Sequence, residues 1–245
     1  MSGAHPNAVL RRARRGVALA LAAAALGCAP ARQPARPAPE RSAAVPTLYE
    51  TQRRITEYLD SGRYEADVAR VVATASAWLD ERAPLVRRPA IVLDVDETAL
   101  SNWGAYRLNG WARIVHGPCD LEHGPCGIRA WQGMAGGVAI LPTLRLVERA
   151  RVLGVAVFFL TGRPPDVRAV TERNLREQGF TWDRLIMLPA DKQFRSGVDF
   201  KAPERRRLAD EGYTILLSLG DQQSDLDGGF AERTFKLPNP VYYLP

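Results

Sequence analysis

The sequence predicts an α/β fold: a mainly parallel sheet with helices on both faces. Short apolar runs at 90–95, 155–160 and 213–219 read as buried strands, separated by segments of helical period. Each run ends in polar residues: Asp94 and Asp96, then Thr161, then Asp221 and Asp225. In a parallel sheet the carboxyl ends of strands share one edge, where open α/β sheets bind ligands. The three clusters are therefore expected to meet.

The chain has 245 residues, 46% hydrophobic and 24% charged, enough for one α/β domain with an insertion. Its beginning differs from the rest. Arg11, Arg12, Arg14 and Arg15 precede an apolar run, Val17 to Gly27, that is too short to span a bilayer and reads as the core of a secretory signal. The end, Ala25-Leu26-Gly27-Cys28, looks like a lipobox, which makes Cys28 the lipidated first residue of an outer-membrane or periplasmic lipoprotein. The alternative is cleavage after Ala29-Pro30-Ala31 and release into the periplasm. Residues 28–46 form a Pro/Ala-rich tether. Removing four arginines and no acid with residues 1–27 lowers the formal charge from +6 to +2. No basic block interleaved with aromatics remains to favour nucleic acid, and membrane contact is expected through the lipid anchor only.

The domain proper spans 47–245. Helices are expected at 48–60 and 64–80, broken at Ser61-Gly62, with packing as their only role. The stretch 101–141, rich in Gly and Trp, has no sheet-like period and reads as a long loop, a lid or cap insertion. A helix at 142–153 stops at Gly154. Pro164 and Pro165 start another that ends at Gly179. A short strand near 185–188 precedes a polar loop, and Lys201 leads into a helix ending at Gly212.

A helix N-cap after the first strand would explain one acidic residue but not Asp94 inside the apolar run. Carboxylates, a hydroxyl, an ammonium and glycine-exposed N–H groups at one edge suit a divalent cation and a phosphoryl group. With those residues in view, the sequence resembles the haloacid dehalogenase-like (HAD) superfamily, and within it the acid phosphatases of subfamily IIIB. The resemblance rests on Asp94-Val-Asp-Glu-Thr98, Phe159-Leu-Thr-Gly-Arg163, Lys201 with Arg205, Gly220-Asp-Gln-Gln-Ser-Asp-Leu226 and the closing Phe235–Tyr243. It implies a Rossmann-like sheet with a small cap after the first strand. It also implies Mg²⁺-dependent hydrolysis of phosphomonoesters through an aspartyl-phosphate.

By that resemblance Asp94 is the nucleophile and Asp96 the general acid and base, the latter with a raised pKa. Thr161, Gly162, Lys201 and Arg205 bind phosphate. Asp94, the Asp96 carbonyl, Asp221 and Asp225 hold Mg²⁺. Lys192 is the alternative to Lys201, and Asn102 is a supporting residue. A non-catalytic storage or binding relative is an alternative, as is a phosphotransferase using the same intermediate.

The cap carries His116-Gly-Pro-Cys119 and His123-Gly-Pro-Cys126, a repeat outside the family pattern. Cys119 and Cys126 either form a disulfide, as an oxidising compartment favours, or join His116 and His123 around zinc. Trp103, Tyr106, Trp111 and Trp131 either stack a nucleotide base or aryl leaving group, or build the cap's own core.

Overall fold

A computed structural model describes residues 45–190 and 194–244. The signal segment, Cys28, most of the tether and Lys192 lie outside the described residues. The chain runs α1 (Leu48–Asp60), α2 (Arg63–Arg82), β1 (Pro89–Leu93), β2 (Leu100–Ser101), α3 (Trp103–Leu108), α4 (Ile128–Gly133) and β3 (Val138–Ala139). It continues through α5 (Leu141–Val152), β4 (Ala156–Thr161), α6 (Arg168–Glu177), β5 (Arg184–Met187), α7 (Gly197–Asp210), β6 (Thr214–Gly220) and β7 (Arg233–Lys236). Five strands pair in parallel in the order β5-β4-β1-β6-β7, which sets β1 between β4 and β6.

Local chemistry explains the boundaries. Thr47 and Glu50 form a reciprocal capping box that starts α1. Gly62, at φ +76°, takes the left-handed turn into α2. Strand side chains alternate between the two faces. Ile91, Leu93, Val157 and Phe159 face a core shared with Leu79 of α2 and Leu146 of α5. Ala90, Val92, Phe158 and Leu160 face Phe200 and Leu208 of α7. A bulge in the β1–β6 register leaves Leu216 as an extra residue, since Ala90 pairs with Ile215 and Ile91 with Leu217. The Trp78 indole donates to the Leu216 carbonyl at 2.8 Å, tying α2 to the bulge.

Several expectations need correction. Residues 101–141 are not a featureless loop: α3, α4 and β3 lie within them, and β3 pairs antiparallel with β2. Two-residue strands and six-residue helices are too short to show a period. Asn174 of α6 holds this cap by exchanging hydrogen bonds with both backbone groups of Gly137. Lys201 does not start its helix. α7 begins at Gly197 and accommodates Pro203 in its interior, so Lys201 sits one turn in. β7, a short edge strand with Phe235 as its one buried residue, gave no pattern to detect. Cys119 and Cys126 are joined as a disulfide. That pairing removes both thiolates from the zinc alternative, and His116 and His123 are exposed.

The core assignment has a direct check. Leu79 is fully buried whereas Leu85 is 67% exposed. Leu79→Ala is expected to lower unfolding free energy by roughly 2–5 kcal/mol, and Leu85→Ala by less than about 0.5 kcal/mol, by chemical denaturation.

Candidate active site

The site forms at the carboxyl edge of three adjacent strands. Asp94 follows β1, Gly162 follows β4 and Asp221 follows β6, and the Asp94 amide continues the ladder to the Leu219 carbonyl at 3.0 Å. Asp225 comes from the short turn after β6, and Lys201 from α7. These residues line a cavity of about 350 Å³, with cap residues forming part of its wall.

Its floor is a cluster of buried charge. Oxygens of Asp94, Asp221 and Asp225 lie within 4.8 Å of one another. The Lys201 ammonium donates to Asp94 Oδ1 at 2.5 Å and also to Asp225. Gly220 is required here, because a Cβ would collide with the Asp225 side chain. Asp221 accepts hydrogen bonds from Asn239 Nδ2 at 2.7 Å, Thr98 Oγ1 at 3.3 Å and Gln222 Nε2 at 2.5 Å. Three carboxylates face one ammonium, so the group is short of positive charge. Burial pushes the Asp94 carboxyl well above the usual range; Lys201 opposes the rise, and Asp225 and Asp221 add to it. Burial, with Asp225 beside it, pushes Asp221 up to about 7 against the pull of its hydrogen-bond donors. An all-oxygen, charge-deficient donor set fits a hard divalent cation.

Asp96 lines the same cavity but is paired with other groups. Its carboxylate accepts from Arg163 Nη2 at 2.7 Å and Nε at 3.1 Å, from Asn102 Nδ2 at 2.8 Å and, more weakly, from Gln132. The expectation of a raised pKa is overturned. Burial alone would raise it, but the charge and hydrogen bonds of Arg163, with those of Asn102 and Gln132, hold it below the ordinary value. Arg163 was part of a recognised motif without an assigned role. Gln132 gave no sequence signal at all.

Other assignments shift as well. Thr161 is fully buried, and its hydroxyl accepts the Arg163 amide at 3.2 Å; Gly162, not Thr161, lines the cavity. Arg205 does not reach the cavity. Its guanidinium donates to the main-chain carbonyls of Asp225 at 2.7 Å, Gly229 at 2.9 Å and Asp227, clamping the turn that carries Asp225. Asn102 links Asp96 to the cap by accepting from the Trp131 indole at 3.1 Å. Trp103, Trp111 and Trp131 pack within the cap and against α1 and α2 rather than lining the cavity. The aromatic wall is made by Tyr106, Phe194, Phe200 and Tyr242. The C-terminal tail supplies Tyr242, whose hydroxyl donates to the buried Glu97.

A model of HAD superfamily, subfamily IIIB (acid phosphatase), matches residues 14–245. The stem 28 kDa glycoprotein of Glycine max is 32% identical over 192 residues, covering 77% of this chain and 72% of that protein. Acid phosphatase 1 of Solanum lycopersicum is 32% identical over 197 residues, 78% of this chain and 73% of that one. The class C acid phosphatase from Bacillus anthracis shares the fold, with a TM-score of 0.62 at 22% identity over 79% of this chain and 86% of that one. The chain belongs to the HAD superfamily, subfamily IIIB, and is a phosphomonoester hydrolase of the acid phosphatase family.

Proposed function

We propose that the protein hydrolyses phosphomonoesters in two steps through Asp94, with Mg²⁺ held by Asp94, Asp221, Asp225 and the Asp96 carbonyl. The observation that carries the reading is the bridge from Lys201 to Asp94 and Asp225 on a cavity floor that Asp221 and Gly162 share. Bound there, the cation offsets repulsion between a carboxylate nucleophile and an anionic ester. Lys201 holds one oxygen of Asp94 and adds a positive charge where the phosphoryl oxygens gather. Gly162, without a side chain, lets those oxygens approach the turn after β4.

In the first step Asp94 forms a bond to phosphorus and the ester P–O bond breaks, the leaving oxygen taking a proton from Asp96. In the second, water attacks phosphorus and gives a proton back to Asp96, releasing phosphate and free Asp94. The Arg163 pairing keeps Asp96 ionised in the free enzyme, which suits the second step. For the first step a proton has to arrive with the substrate, and the anionic ester favours that by adding negative charge beside Asp96. Arg163, Asn102 and Gln132 are positioning residues for this carboxyl.

We also infer export as a lipoprotein through Cys28. The sequence pattern supports this, and the Cys119–Cys126 disulfide is in keeping with an oxidising compartment. No described helix is long and apolar enough to cross a membrane.

Asp94→Asn is expected to lower kcat more than about 10³-fold with the fold intact, and chelation to abolish turnover until Mg²⁺ is returned; unchanged turnover in the variant would exclude Asp94 as nucleophile. Arg163→Met is expected to reduce kcat about 10–100-fold with little change in KM, and Arg163→Lys to recover part of it. A fatty-acid label is expected on the wild-type chain in a bacterial host and not on Cys28→Ala, which would partition with soluble protein.

A further inference from the structure

We propose that the site selects phosphomonoesters whose alcohol portion carries a second anionic group, bound by Arg113 and Arg129 of the cap. The proposal rests on the phosphatase reading above and concerns the substrate of that site. The cavity's four carboxylates, Asp94, Asp96, Asp221 and Asp225, each already have partners on the floor. The wall also carries three arginines from separate segments: Arg113 after α3, Arg129 on α4 and Arg195 ahead of α7.

Among the described residues none of the three forms an ion pair. Other arginines, Arg53 and Arg145 among them, also lack an acid partner among the described residues but lie exposed away from the cavity; these three differ in lining it. Cations lining a cavity with no acid of their own are a binding site for an anion, and guanidinium groups match both carboxylate and phosphate. Arg113 is also placed. Its guanidinium stands 5.4 Å from the centroid of the Tyr242 ring, which is itself packed on Tyr106 and bonded to Glu97. Arg129 is half-buried on α4. The same wall includes Val115, Ile128 and Tyr106, an apolar surface suited to the carbon skeleton joining two anionic ends. A diffuse electrostatic field would also draw the more highly charged esters, but salt screens it, so the comparison is run at high ionic strength, where a seated guanidinium contact is kept and a diffuse field is not.

The experiment compares kcat/KM, with Mg²⁺ present, for propyl phosphate, the same ester ending in a carboxylate, and the same ester ending in a second phosphate. Para-nitrophenyl phosphate reports general phosphatase activity. Wild type is expected to prefer one or both doubly anionic esters about tenfold over propyl phosphate, the size of one charge-assisted contact. Which ester gains identifies the second group as carboxylate or phosphate. Arg113→Gln combined with Arg129→Gln is expected to erase the preference, chiefly through KM. Turnover of propyl and para-nitrophenyl phosphate should stay within about twofold. Equal wild-type values for the three propyl esters would overturn the proposal, as would an equal fall for every ester in the variant. Failure of wild type to cleave even para-nitrophenyl phosphate would instead sink the phosphatase reading, and the selectivity with it.

Discussion

Three carboxylates around one ammonium, all removed from water, are the constraint on which the rest of the structure depends. Such a group is costly to bury unless its charge is balanced and its oxygens are bonded. Lys201 balances part of it by touching Asp94 and Asp225. Hydrogen bonds from Thr98, Gln222 and Asn239 satisfy Asp221. The remaining deficit makes a divalent cation and a phosphoryl group compatible occupants, one supplying the charge and the other exploiting it.

The strand ends place this group, and long side chains brace it. β1 sits between β4 and β6, so the residues following those strands meet at one edge. Gly220 leaves room for the Asp225 carboxyl, and Arg205 secures the turn beyond it through main-chain carbonyls. The tail closes the arrangement: Lys236 donates to the Asp221 carbonyl at 2.8 Å, and Leu244 to Gln222 Oε1 at 2.8 Å. A second charged pair, Asp96 with Arg163, lies beside the first and is balanced within itself. One carboxylate can therefore be ionised and held still while its neighbours are available for a cation.

Much of this was legible in the sequence because the signal was local. A β-branched run ending in Asp94 and Asp96 announces both a strand and its chemistry, and the same holds for Leu219 followed by Gly220 and Asp221. Arg205 was assigned to phosphate, and for the tryptophans the sequence left cap core and ligand stacking both open, for one shared reason. A motif or a composition gives residue type but not direction, and direction is set by packing between distant segments. The Asp96 pKa failed similarly: burial was foreseeable, but the Arg163 guanidinium that outweighs it arrives from another strand. Gln132, Arg113 and Arg129 lie in a cap whose elements are shorter than the period that would reveal them.

On the reading proposed above, a divalent cation completes the buried aspartates. Calorimetric titration of the free protein with Mg²⁺ tests it most directly. One ion per chain is expected to bind in the wild type, with binding weakened strongly in Asp221→Asn and in Asp225→Asn. No detectable heat in the wild type at any titration temperature, with no rise in its melting temperature at saturating Mg²⁺, would contradict the account.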